Sequence, residues 1–181
     1  HVVRYETDQG VATVTLDRPQ RLNAWTGRMH SEYRWCLAEA ERGALAQTEA
    51  AAEIFRAQNA GHLVMISSIS AMRGMPGTIT TYAATKAAVA HLAEGFRADV
   101  MGTPIKVTVL YPGYIVSEMS ATSKATPMVA STERGVRSMV AAIEKEKASA
   151  RVPGWPWEPV GLALKHLPLP MHPNAPLAAQ A

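Results

Sequence analysis

The hydrophobic rhythm of the chain changes several times along its length, and each change proposes an element. Residues 2–6 (VVRYE) and 11–16 (VATVTL) are rich in β-branched residues and flank the turn-prone TDQG, which predicts a β-hairpin. DRPQRLNAW follows as a loop, and Thr26 is placed to cap a helix through MHSEYRWCLAEAE. Gly43 is expected to interrupt that helix. Helical spacing resumes in ALAQTEAAAEIFRAQ, where Leu45, Ala52, Ile54 and Phe55 mark an apolar side, and Asn59-Ala60-Gly61 is a natural stop.

HLVMISS, residues 62–68, is a continuous apolar run that turns polar at its end, the pattern of a strand buried on both faces of a parallel sheet. From Thr81 to Met101, Ala84, Ala88, Leu92 and Phe96 keep a helical period, and IKVTVLYPG (105–113) reads as a second buried strand ending in Pro-Gly. Ser131 or Thr132 is placed to cap a helix through Ile143, with Glu133 in its first turn. Most of the prolines lie from Pro153 onward; a short apolar helix candidate lies there, with order expected to about Leu167 and a loose end beyond. From about residue 43 the order is helix, strand, helix, strand, helix. That alternation predicts an α/β fold built on a parallel sheet, with a hairpin and helix of another kind in front.

Composition narrows the function classes. With 181 residues, 48% of them hydrophobic, there is material for one core and a small appendage. The net charge of +3 is not gathered into a basic run with interleaved aromatics, which argues against a nucleic-acid partner. Cys36 is the single cysteine, so no internal disulfide forms and a reducing compartment is expected. His62, His91, His166 and His172 are scattered without ligand spacing, so no metal site is expected. Apolar runs are strand-length, far below the roughly 20 residues that span a bilayer, and the start lacks a basic-then-apolar leader pattern. A cytoplasmic protein is expected, and a start at His1 reads as a processed product or a fragment of a longer reading frame.

The chemistry is concentrated in SSISAMRGMPGTITTYAATK, residues 67–86. Ligands of α/β sheets sit outside the carboxyl ends of the strands, where Ser67-Ser68 and Pro112-Gly113 fall. Tyr82 and Lys86 are four apart near a helix start and share a face. An ammonium beside a phenol favours the phenolate, which suits an acid/base pair, and a serine across the pocket suits a carbonyl or alkoxide oxygen. Spacing alone leaves a second reading open: a solvated Tyr-Lys helix face and serines that cap or turn.

The longer context LVMISSISAMRG, YAATKAAVAHLAEGFRADV and IKVTVLYPGYIVSEM resembles the short-chain dehydrogenase/reductase family over about residues 43–157. That resemblance implies an incomplete Rossmann-like sheet and an NAD- or NADP-dependent oxidoreductase acting on a secondary alcohol or ketone. It implies Ser68 as the substrate-orienting serine, Tyr82 as the acid/base and Lys86 as the lysine that holds the nicotinamide ribose. Pro112, Gly113 and Ile115 correspond to the segment along the nicotinamide, and Ser117 to a hydroxyl near the carboxamide. It also implies a homo-oligomer through helices 44–59 and 82–101.

The family's first half is missing. Its glycine-rich strand–turn–helix, which cradles the cofactor diphosphate, has no counterpart, because the glycines before Ser67 are Gly10, Gly27, Gly43 and Gly61. The family's catalytic asparagine falls at Ala40. Residues 1–41 instead resemble the start of the enoyl-CoA hydratase (crotonase) family, through Arg18, Pro19, Asn23 and Ala24 after a hairpin; Arg18 and Arg21 would then face CoA phosphates. The organisation expected is therefore 1–42 crotonase-like, 43–157 a partial dehydrogenase and 158–181 a Pro-rich tail, a pattern that a gene fusion, a frameshift or a built chimera would each give. Activity without the glycine-rich motif is doubtful on this reading, and the alternatives are a non-catalytic dimerising remnant or a CoA-binding protein. Losing the first half also leaves the Ser68 strand with a long hydrophobic edge, which the Val/Thr-rich hairpin is available to cover.

Overall fold

The computed structural model describes residues 3–8, 11–16, 27–75, 79–116 and 128–166. They divide into two compact units, His1–Glu49 and Ala50–Ala181. In the first, strands β1 (Val3–Asp8) and β2 (Val11–Leu16) pair antiparallel, with Val3 opposite Leu16 and Asp8 opposite Val11.

Helix α1 runs without interruption from Gly27 to Gln58. The break expected at Gly43 does not occur. A helical glycine costs only about 1 kcal/mol against alanine, and the long flanking stretches of helix formers outweigh that. The stop at Asn59-Ala60-Gly61 does occur. Asn59 adopts a left-handed conformation (φ 50°), the Asn59 amide donates to the Arg56 carbonyl and the Ala60 amide to that of Phe55. This is a Schellman closure, with asparagine tolerated where glycine is usual. Gly61 then lets the Phe55 ring lie on its backbone, since a Cβ there would fall 2.2 Å from the ring.

The second unit is built on a three-stranded parallel sheet in the order β3 (His62–Ile66), β4 (Lys106–Pro112), β5 (Ser149–Val152). Strand β5 has no counterpart in the expected elements. It is only SARV, too short for a hydrophobic period, and pairs because Leu110 and Pro112 of β4 lie opposite Ala150 and Val152. Helix α2 (Thr80–Asp99) packs on β3 and β4, and α3 (Thr132–Glu144) on β4 and β5. Ser131 caps α3 by accepting the Arg134 amide. Helix α4 (Gly154–His166) packs on β5 and on the 3₁₀ turn Ile69–Met72. It tolerates Pro156 near its start and Pro159 inside it, with Trp155 leaving the helical conformation. The short helix candidate of the Pro-rich region is thus a full element, and it runs across residue 158, where the tail was expected to begin.

Two apolar clusters hold this unit together. Leu110, Ala142, Ala150 and Val152 lie between sheet and α3, with Val64, Met139 and Ile143 packed against them. Ile69, Met75, Ala83, Trp157 and Leu164 pack with Met72 and Val160, joining the 3₁₀ turn, α2 and α4.

Candidate active site

The site is assembled at the carboxyl end of β3. Ser67 and Ser68 follow that strand directly, both buried, and their hydroxyls have separate jobs. Ser67 Oγ donates to the Lys86 carbonyl at 2.7 Å, tying α2 to the strand end. Ser68 caps the 3₁₀ turn, accepting from the Ser70 amide at 3.3 Å and from the Ser70 hydroxyl at 3.0 Å. In both bonds Ser68 is the acceptor, so its O–H proton is its remaining donor capacity. That is the polarity needed to hold a carbonyl oxygen.

Tyr82 stands in the first turn of α2, half-buried, and the turn after Ser68 packs against this helix. One helical turn on, the Lys86 ammonium lies 5.8 Å from the centre of the Tyr82 ring and donates to the Ile66 carbonyl at 3.2 Å. The i, i+4 spacing therefore places a fixed cation beside a phenol at the end of a parallel strand. The loop before α2 is closed by the Thr80 hydroxyl on the Met75 carbonyl at 2.6 Å.

Pro112 ends β4, and the Gly113 amide donates to the Val152 carbonyl at 3.0 Å. A Cβ on Gly113 would fall 2.1 Å from the indole of Trp157, so the bare backbone there is filled by that ring. Tyr114 meets the same indole edge-on, with ring centres 5.5 Å apart. Ile115 bridges to Ala130 and lies on Gly135 of α3. Around it the Val116 amide donates to the Ala130 carbonyl, and the Ala130 amide to that of Tyr114. Ser117 lies outside the described residues, as do Arg18, Pro19, Arg21, Asn23 and Ala24, which carry the hydratase resemblance.

Behind the site, Arg73 and Arg151 carry no sequence signal, whereas the two-tryptophan segment PGWPWEPVGLALKHLPLP is expected to pack onto the core, and Trp157 does so. Trp157 is 3% exposed, and its indole Nε1 has no acceptor among the described residues; Arg73 Nε and Arg151 Nε share that condition. Arg73 otherwise donates to the Leu164 carbonyl, and Arg151 pairs with Glu158 at 3.0 Å. No group of three or more His, Cys, Asp or Glu among the described residues is placed to hold a metal ion.

A family model described as short chain dehydrogenase matches residues 31–128, more than half of the chain. The chain belongs to the short-chain dehydrogenase family. The match opens at residue 31, inside α1, so it takes in much of the helix assigned from sequence to the hydratase-like head. An uncharacterized oxidoreductase of Mycobacterium tuberculosis is 49% identical over 117 residues, covering 65% of this chain and 46% of that protein. One from Myxococcus xanthus is 36% identical over 115 residues, covering 61% of this chain and 44% of that protein. The chain therefore spans less than half the length of these relatives. Among solved structures, a short-chain dehydrogenase from Sphingobium yanoikuyae in complex with NADPH matches with a TM-score of 0.59 and 19% identity, over 77% of this chain and 56% of that one. A short-chain dehydrogenase from Burkholderia cenocepacia in complex with NADP gives 0.59 at 22% identity, over 80% of this chain and 58% of that one. These structures share the α/β fold.

The residues present fit one end of a nicotinamide dinucleotide. A phenol, an ammonium and a buried hydroxyl lie on neighbouring elements at the ligand end of a parallel sheet, the donor set that ribose hydroxyls and a substrate oxygen require. For the diphosphate end the fit fails. Its cradle is a run of glycines opening a helix after a strand, and no such run exists in the chain. No helix among the described residues is long and apolar enough to cross a membrane.

Proposed function

We propose that the Ala50–Ala181 unit is the proton-transfer and substrate-orienting half of an NAD(P)-dependent oxidoreductase acting on a secondary alcohol or ketone. The observation that carries this reading is the Lys86 ammonium held beside the Tyr82 ring, next to the turn capped by Ser68. The nicotinamide supplies or accepts the hydride when bound. Ser68 donates its O–H to the substrate oxygen. Tyr82 gives a proton to that oxygen in reduction and takes it back in oxidation, while Lys86 stabilises the phenolate left behind and binds ribose hydroxyls together with Tyr82. Pro112, Gly113 and Ile115 would border the nicotinamide, and the resemblance gives Ser117 as a hydroxyl near its carboxamide.

The test is a titration of the protein with NADH and NADPH, following nicotinamide fluorescence. Without a diphosphate cradle, saturable binding is expected only near millimolar cofactor, about −4 kcal/mol, and lost in Lys86→Met. Absence of binding at that concentration, or equal binding by Lys86→Met, overturns the reading. A second reading is a non-catalytic dimerising remnant that associates through α1 and α2. Ala40 at the asparagine position and the exposed Ile54 on α1 support it, and sedimentation of Ile54→Lys against the parent protein tests it. CoA binding by the N-terminal head rests on the sequence resemblance of residues 1–41, and titration with CoA decides it.

A further inference from the structure

Ser68 and Ser70 flank Ile69 at the 3₁₀ turn that follows β3, and all three are buried. Ile69 anchors the turn in the cluster with Ala83 and Trp157, and the Ala71 amide closes it on the Ser68 carbonyl at 3.0 Å. A serine that caps a turn needs one bond, from a backbone amide to its Oγ. The Ser70 amide supplies that bond to Ser68. The Ser70 hydroxyl then brings a second donor to the same oxygen, and Ser68 Oγ is the only acceptor it finds among the described residues. A hydroxyl oxygen has two lone pairs, and here both are taken. Ser68 is left as a donor only. Hydrogen bonds in such a chain polarise one another, so each donor behind Ser68 makes its O–H a stronger donor in turn.

We propose that Ser70 is a positioning residue that holds Ser68 in its donating state, through a two-hydroxyl chain from Ser70 Oγ to Ser68 Oγ to the substrate oxygen. The group bound there has to accept. A ketone or alkoxide oxygen qualifies, whereas an ammonium or iminium, with only N–H to offer, does not. Charge develops on that oxygen as hydride is added, so the chain contributes more in the transition state than in the bound ground state. The role of Ser70 in reduction rests on the proposed oxidoreductase site, while the polarity of the serine pair is a property of this chain alone.

The test has two parts. Serine Cβ resonances of the full chain are recorded in equal parts of light and heavy water, where a slowly exchanging hydroxyl gives separate protonated and deuterated lines. Expected are resolved lines at Ser70, whose proton is held by Ser68, and averaged lines at Ser68, whose proton is left for an incoming oxygen. Averaged lines at Ser70, or resolved lines at Ser68, overturn the inference, because the proton between the two oxygens then comes from Ser68 or is not held. The second part follows reduction of acetophenone and cyclohexanone at millimolar NADPH. Ser70→Ala keeps the amide bond to Ser68 and loses the hydroxyl donor, so kcat is expected to fall about tenfold with KM little changed, and Ser70→Thr to restore it. A Ser70→Ala protein as fast as the parent overturns the inference, as does a change in KM alone. If the parent protein turns over neither ketone, the failure falls on the oxidoreductase reading, and the serine lines still decide the polarity.

Discussion

The two apolar clusters of the Ala50–Ala181 unit differ in what they leave unsatisfied. The cluster between sheet and α3 is Leu110, Ala142, Ala150 and Val152, wholly aliphatic and held by adjacent strands and one capped helix. The cluster behind the site joins the 3₁₀ turn, α2 and α4 and contains Trp157, whose indole nitrogen finds no acceptor among the described residues; neither do the buried Nε atoms of Arg73 and Arg151 outside it. An unpaired buried donor costs about 1–3 kcal/mol. The first cluster is thus packed for stability, whereas the second gives some of it up next to the chemistry. Proteins commonly relax local satisfaction at functional sites and compensate elsewhere.

The largest effect expected is at Leu110, which is fully buried. Leu110→Ala removes methyl groups from a cluster that cannot collapse onto them and should cost about 3–5 kcal/mol in urea denaturation. A cost below about 1 kcal/mol would show that the aliphatic cluster is no tighter than the other. Next is Gly113→Ala, whose new Cβ lies 2.1 Å from the Trp157 indole. The ring is buried and has to shift, so a loss of about 1–3 kcal/mol with a changed tryptophan emission is expected. An unchanged spectrum would mean that Trp157 does not pack on the Gly113 backbone.

The same contrast explains what could be read before the structure. Hydrophobic runs at 62–66 and 106–112 and the Ser131 cap made the elements carrying Val64, Leu110 and Ala142 legible, whereas Ala150 and Val152 on β5 were not. Ser68, Tyr82 and Lys86 were legible as neighbours because a strand end and an i, i+4 helix spacing place them, while their roles came from the family resemblance and not from spacing. The two-tryptophan segment was legible only as packing on the core, and the positions of Arg73 and Arg151 beside it were not legible. They come together only when SARV pairs with β4 and a proline-bearing segment folds into α4, and both follow from tertiary pairing that overrides local propensity. Gly43 misled for the related reason that a single glycine is a weak breaker inside 32 residues of helix.

A smaller effect sharpens the comparison at the indole itself. Trp157→Phe loses ring area but also deletes a donor without an acceptor among the described residues, so the two changes offset and stability should move by no more than about 1 kcal/mol. Trp157→Ala, which keeps neither ring nor donor, should cost about 3–5 kcal/mol. If phenylalanine costs as much as alanine, the indole nitrogen is paired after all and the contrast between the clusters narrows.

The smallest effect is read at Tyr111, which lies on β4 directly opposite Arg151 on β5. Burial holds the Tyr111 phenol above its ordinary value of 10.0, Glu94 adds to the rise, and Arg151 and Arg97 partly offset it. Below pH 10 folded and unfolded chains both keep this proton, and stability is insensitive to it. As pH rises past 10.0 the unfolded chain releases the proton first, so the folded state loses stability between that value and the folded pKa. Absorbance titration at the tyrosinate band should show a late phenol that is absent in Tyr111→Phe. In Arg151→Met the attraction is gone, and that phenol should ionise later still. Should it ionise earlier, the guanidinium would be acting on Tyr111 mainly by excluding water rather than through its charge, and its unpartnered Nε would belong to the packing of the site cluster instead of its electrostatics.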